Sequence, residues 1–168
     1  LRFLALDTLV PGESYGMLCE ERVEWVERRL EEEPAKPTLI FMHHPPAKTG
    51  TVAFDAIRCQ ITPRFESLVR SYKNIVGVLC GHYHHLCMTS FGGKSCFIAP
   101  SVAPVHHFTS CVDEHVAALE LEDPAVTLHQ WNGGTVLTSH VRRIKEDYRR
   151  IDWQELLHQR ASLAINQS

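Results

Sequence analysis

An α/β fold whose mixed sheet turns antiparallel toward the C-terminal end is predicted by three observations. Residues 38–42 (Thr-Leu-Ile-Phe-Met) and 75–80 (Ile-Val-Gly-Val-Leu-Cys) are short apolar runs, rich in β-branched residues, of the kind that forms strands buried on both faces. Each follows a segment of helical period, at residues 19–33 and 63–72. Beyond residue 86 the pattern changes to strand-like runs separated by glycine, asparagine and proline turn signals.

The elements follow in order. Residues 1–7 read as a first strand and 7–16 as a loop, with Pro11-Gly12 marking a turn. Over 19–33, Val23, Val26 and Leu30 keep helical spacing, with Trp25 and Leu18 nearby. Glutamate and arginine fill the rest, as expected of a solvated face with i,i+4 pairs. Lys36-Pro37 stops that helix ahead of the strand at 38–42. Residues 47–62 read as a loop long enough to be functional, with Lys48 and Arg58 read as surface charges ahead of the alternative that either pairs with a phosphate. Pro63 sits in the first turn of the next helix, which turns Phe65, Leu68 and Val69 inward. After the strand at 75–80, runs 86–91 and 95–99 form a hairpin closed by Gly92-Gly93-Lys94. Runs 116–121, 126–131 and 135–141 read as further strands, with turns at Asp123-Pro124 and Asn132-Gly133-Gly134. A charged surface segment at 142–150 and a short helix at 152–165, for packing or oligomer contact, complete the chain. No internal repeat or low-complexity linker interrupts it.

Composition narrows the function classes. At 168 residues a chain buries roughly 70% of its unfolded surface, enough for one real core. The 44% hydrophobic and 22% charged fractions are those of an ordinary globular protein. A net charge of −3 provides no general basic field for nucleic acid, so attraction for a phosphate group must be local. Neither a charged leader with an apolar core nor a run of about 18 apolar residues occurs, and a soluble protein is expected. The six cysteines show no C-x-x-C pairing and several lie in apolar runs, which favours a reduced, cytoplasmic setting.

Histidine placement is the main chemical signal. His43-His44 follow one buried strand, and the prolines after them forbid helix and display both on a loop. His82, His84 and His85 follow the other strand, after Gly81 breaks it. Side chains two apart in an extended backbone share a side, so His82 and His84 are expected to project together from a strand end. Strand ends are where α/β folds place ligands. With His106-His107, these clusters hold seven of the 11 histidines. Neutral imidazole is the commonest metal ligand, and metal binding is the reading. Tyr83 is taken as packing, and His115, His129 and His140 as surface or packed rings.

Gly81-His82-Tyr83-His84 matches the G-H-x-H motif, and His43-His44-Pro45 the H-x-P motif, of calcineurin-like metallophosphoesterases. The chain resembles that family, nearest to its bacterial class III phosphodiesterases, which hydrolyse cyclic nucleotides or glycerophosphodiesters. The likeness runs over residues 1–140 and includes residues 4–8, the Gly12/Gly16 loop, the Trp25 helix, residues 41–46 and the His106 segment. It implies a four-layer αββα sandwich, with residues 1–150 as the C-terminal portion of the domain and 151–168 as a helical tail. It further implies two divalent metal ions (Fe, Mn, Zn or Co) and a small phosphodiester substrate, with no nucleic acid polymer or membrane as partner. By resemblance His43 and His82 coordinate one metal and His84 the other. His44 and His106 are substrate-side candidates, with His85 and His107 beside them, and residues 47–62 help wall the pocket. No catalytic residue is assigned.

The departure from the family is equally specific. The D-x-H, G-D and G-N-H motifs that supply the remaining ligands do not precede His43. Asp113-Glu114-His115 spells D-x-H, but it follows G-H-x-H in a polar loop that enters a strand, and it is read as coincidence. The resemblance therefore implies an incomplete site. Two alternatives follow: a catalytically inactive fragment that binds one ion, or an oligomerising one. A sheet face left uncovered in such a portion predicts a homo-oligomer.

Overall fold

The structure is a computed structural model that describes residues 1–106 and 119–145. Its elements are β1 (Arg2–Leu6), β2 (Gly16–Leu18), α1 (Glu20–Glu32), β3 (Thr38–Met42), α2 (Val52–Ala56), β4 (Cys59–Ile61) and α3 (Pro63–Ser71). They continue with β5 (Ile75–Cys80), β6 (Cys87–Phe91), β7 (Lys94–Ile98), β8 (Val105–His106), β9 (Leu119–Glu120), β10 (Ala125–Trp131) and β11 (Leu137–Arg143).

A five-stranded sheet of order β1-β3-β5-β7-β6 organises the chain. β1, β3, β5 and β7 are parallel, and β6 returns antiparallel beside β7. The predicted α/β class with later antiparallel strands is what the structure shows. β5 is buried at all six positions, as its unbroken apolar run requires. One face of the sheet packs on α1 and α3: Val23, Val26, Leu30, Phe65 and Val69 meet Leu4, Ile40, Ile75 and Val78. On the other face Leu39, Val76, Leu79 and Phe97 form a smaller cluster with Trp131 and Leu137 of the β10–β11 ribbon. Helices, sheet and ribbon are thus stacked in three layers.

The structure departs from the sequence reading in several places. The 7–16 loop runs into β2, and the presumed loop at 47–62 contains α2 and β4. β2 and β4 pair in parallel, Gly16 opposite Cys59 through Leu18 opposite Ile61. The charged face of α1 is solvated, and Arg64 of α3 adds bridges to its Glu20, Glu24 and Glu27. Trp25, beside the buried stripe, is exposed, with the Arg29 guanidinium over its ring. Residues 142–143 extend β11, paired with Val126 and Ala125.

Among the described residues Cys19, Cys59, Cys80, Cys87 and Cys96 are free thiols. None of the described helices is long and apolar enough to cross a membrane. His107, Cys111, residues 113–115 and the helix expected at 152–165 lie outside the described residues.

Candidate metal centre

β3 and β5 are parallel neighbours, with Met42 opposite Cys80. The residues that follow them, His43 and Gly81, are therefore brought side by side, and the Gly81 N–H donates to the His43 carbonyl at 3.0 Å. β1 lies on the other side of β3, with Leu6 opposite Met42, so Thr8 emerges at the same edge. Three adjacent C-terminal strand ends thus converge, the place where open α/β sheets bind ligands.

His43, His44 and His82 each offer a ring nitrogen there, all within 4.8 Å of one another. The ring centroids of His44 and His82 are 4.5 Å apart, and that of His43 lies 4.7 and 5.1 Å from them. His43 is exposed, His82 half-buried and His44 buried.

Each ring is held differently. His44 Nδ1 lies 2.8 Å from the Thr8 hydroxyl, and Thr8 is itself 2% exposed. Gly16 lies against the same ring, where a Cβ would fall 2.4 Å from Nδ1. His82 has φ +69°, and the Tyr83 N–H donates to the Gly81 carbonyl across it at 2.8 Å. That is a γ-turn of the positive-φ kind, which is rare and strained. His84 has φ +63°. Two left-handed histidines in three residues are the strain expected where side chains are aimed for function.

The G-H-Y-H segment is consequently a coiled turn and not an extended strand end. His84 Nδ1 lies 2.9 Å from the Pro104 carbonyl and donates to it, the orientation typical of a ligating histidine whose Nε2 faces the metal. It lies near enough to add to the lowering at His43 and His82.

Tyr83 is buried beneath the histidines, its hydroxyl bonded to that of Thr51 and its ring 4.7 Å from Phe54. Phe54 also stands 6.0 Å from His82, so the 47–62 segment packs against this side of the cluster. Arg58 is engaged by the Asp55 carbonyl.

Burial pushes His82 down to about 4, with His44 and His43 adding to the effect. His44 is lowered by burial and then by His43, and His43 by burial and then by His84. All three are neutral at pH 7, the state that ligates metal. His82 Nε2 is buried without a hydrogen-bond partner. By contrast the buried thiols of Cys59, pushed up to about 12, and Cys80, also raised, stay protonated. Neutral imidazoles around an orphaned nitrogen fit a divalent ion of the Zn, Co, Mn or Fe type. Beside His43 an open, mostly apolar hollow of about 430 Å³ is lined by Ala5, Phe41, Leu79, Gly81 and His129.

No family model matches the chain. Curated proteins do. A probable glycerophosphodiester phosphodiesterase GpdQ of Arcobacter nitrofigilis is 33% identical over 146 residues, covering 86% of this chain and 53% of that protein. The glycerophosphodiester phosphodiesterase GpdQ of Enterobacter lignolyticus is 33% identical over 132 residues, covering 79% and 47%. The 3',5'-cyclic adenosine monophosphate phosphodiesterase CpdA of Escherichia coli is 29% identical over 100 residues, covering 60% and 36%. The chain is a homologue of calcineurin-like metallophosphoesterases. It spans about half the length of the GpdQ proteins it matches.

In this metallophosphoesterase homologue the structure unites His43 and His82, as the motifs suggest, and adds His44. His84 stands beside the cluster. The backbone of His106 lies in β8, opposite Leu119. His129 is half-buried, 2.8 Å from Ser139 Oγ through Nδ1, and packs 5.1 Å from Phe97. His85 packs on Tyr83 at 5.3 Å. Sequence reasoning gave no supporting role to Thr8, Gly16, Thr51 and Phe54, which contact the histidines or Tyr83 from distant segments. Thr8 and Gly16 fall in segments that carry the family resemblance, but nothing local showed that they meet His44.

Proposed function

We propose that this chain is the C-terminal portion of a metal-dependent phosphodiesterase that hydrolyses a small phosphodiester at a dinuclear site. The observation that carries the reading is the cluster of His43, His44 and His82 at the ends of adjacent parallel strands, with a buried, unbonded Nε2 on His82.

Two divalent ions (Fe, Mn, Zn or Co) would neutralise phosphate charge and acidify a water for in-line attack. His43 and His82 would hold one ion and His84 the other. The strained turn at Gly81-His82-Tyr83 orients His82, with Phe54 packed against both His82 and Tyr83. His44 and His106 are the candidates to face the substrate phosphate. The carboxylate and asparagine ligands of the D-x-H, G-D and G-N-H motifs are not among the residues ahead of His43, which makes the ligand set within this chain incomplete.

The longer alignments, at 86% and 79% of the chain, are to proteins named for glycerophosphodiesters, against 60% for CpdA, and favour that substrate class over a cyclic nucleotide. The setting is read as cytoplasmic, with no nucleic acid or membrane partner. A homo-oligomer is expected, because Phe3 of the edge strand β1 is 60% exposed.

The test is turnover of bis(p-nitrophenyl) phosphate, a glycerophosphodiester and cyclic AMP by the protein in its complete polypeptide, with metal analysis on the same sample. About two metals per chain, and turnover lost in His82→Ala, would support the enzyme. Metal uptake without turnover would leave a metal-binding fragment, and an oligomer indifferent to metal would leave an assembly role.

A further inference from the structure

We propose that Tyr83 is a positioning residue: its buried hydroxyl, caught by Thr51, latches the Gly81–His84 turn in its left-handed form. The proposal rests on the reading above in taking that turn as part of the site, and it concerns what holds the turn.

The turn needs holding. His82 and His84 have φ +69° and +63°, and neither is a glycine that would take such values freely. Left-handed residues on both sides of one position persist only where the surroundings over-determine them. Tyr83 lies between them and is 2% exposed. Its N–H closes the γ-turn on the Gly81 carbonyl at 2.8 Å, so the bond that closes the turn and the buried side chain belong to one residue. The ring stands edge-on to Phe54 at 4.7 Å, and the hydroxyl bonds to that of Thr51, itself 4% exposed. A phenylalanine would fill the same volume, so packing accounts for the ring but not for the hydroxyl.

Thr51 accounts for the hydroxyl. It stands at the N-cap of α2 in extended conformation, with φ −100° and ψ 111°, yet makes no side-chain cap bond. A threonine there ordinarily turns its hydroxyl onto the first turn of the helix. Here the hydroxyl goes to Tyr83 instead, across 32 positions of sequence. Asp55 anchors the stretch that carries Thr51. Its carboxylate accepts from the Thr49 N–H at 2.7 Å, the Thr49 hydroxyl at 3.0 Å and the Gly50 N–H at 3.1 Å. One carboxylate with three donors fixes residues 49–51, and they fix the hydroxyl that holds the turn.

The experiment compares Tyr83→Phe, Thr51→Val, the double variant and Thr51→Ser in the complete polypeptide. Two properties are read on each: kcat and KM for bis(p-nitrophenyl) phosphate, and hydrogen exchange of the amides over residues 81–86. Tyr83→Phe and Thr51→Val are each expected to lower kcat by about 10–100-fold, as loss of an orienting partner does. KM should stay within about twofold. The double variant should fall no further than either single one, because both remove the same bond. Thr51→Ser, which keeps the hydroxyl, should restore kcat. Exchange over the turn should quicken by about tenfold or more in the three impaired variants, with exchange in β5 unchanged. Asp55→Ala should quicken exchange over residues 49–51 and over the turn together. Leu30→Ala, which weakens the helix–sheet core outside the latch, should lower the melting temperature and leave kcat unchanged, which separates positioning from general destabilisation.

The proposal is overturned if Tyr83→Phe keeps the wild-type kcat in an active protein, if exchange over the turn does not change, or if the two single effects add in the double variant. Exchange decides even without turnover. An inactive wild type whose protected turn loosens in Thr51→Val would overturn the enzymatic reading and keep the latch, whereas a turn that exchanges freely in the wild type would overturn the latch.

Discussion

Gly16 and His44 form a matched pair. The imidazole occupies the volume a side chain at 16 would need, with a built Cβ 2.4, 2.5 and 2.8 Å from three ring atoms. Gly16→Ala must therefore displace the ring or the start of β2. It is expected to destabilise the chain by about 1–3 kcal/mol, read as a lower urea midpoint with an unchanged slope. His82 supplies a second residue-level prediction. Its folded value, about 4, lies below the ordinary imidazole value near 6.5, so the unfolded chain binds the extra proton between those pH values. Stability without metal is then fully present above about pH 6.5 and is lost as pH falls toward 4. The urea midpoint should drop from pH 7 to pH 5, and His82→Gln should flatten that drop. A midpoint independent of pH in the wild type would contradict the burial that sets the shift.

At the scale of elements, the two histidine loops are held by strands rather than by each other. β3 and β5 place His43 beside Gly81 because their parallel register continues one residue past Met42 and Cys80. α1 fixes that sheet from one side through Val23, Val26 and Leu30, all fully buried. Leu30→Ala is expected to cost about 2–5 kcal/mol in a denaturant titration, because it opens a cavity between helix and sheet. Trp25→Ala, on the exposed side of the same helix, should change stability far less. These strong elements were legible because their signals are local: six consecutive buried positions in β5, and three apolar residues at helical spacing in α1. β2, α2 and β4 were not. Each has five residues or fewer, and β2 and β4 exist because segments far apart in sequence pair with one another. No local period records such a pairing.

Among the described residues the sheet is covered on one side by α1 and α3 and on the other in part by the β10–β11 ribbon. On that second face Phe3 and Phe41 stand 5.5 Å apart, and Phe41 lines the hollow beside His43. Because three elements meet at the histidines, an ion bound there would bind the folded state alone and stabilise all of it. At a free Zn²⁺ concentration 100 times the dissociation constant, the gain is expected to be about 2.7 kcal/mol. It would be seen as a raised melting temperature that a chelator reverses and that His43→Ala and His82→Ala abolish. A melting temperature indifferent to Zn²⁺ would remove the metal reading altogether.

The sequence by itself determined the α/β class, the two buried strands, the amphipathic helices and the presence of histidines at strand ends, because each depends on neighbours along the chain. It also carried the family resemblance through H-H-P-P and G-H-Y-H. Tertiary structure alone decided which rings meet. The spacing argument joined His82 to His84 along an extended backbone, whereas both sit at positive φ in a turn. Parallel pairing of β1, β3 and β5 gathers His43, His44 and His82, with Thr8 and Gly16 against His44. Which side chains converge is a property of strand register and backbone handedness, and both are set by long-range packing that no short stretch of sequence contains.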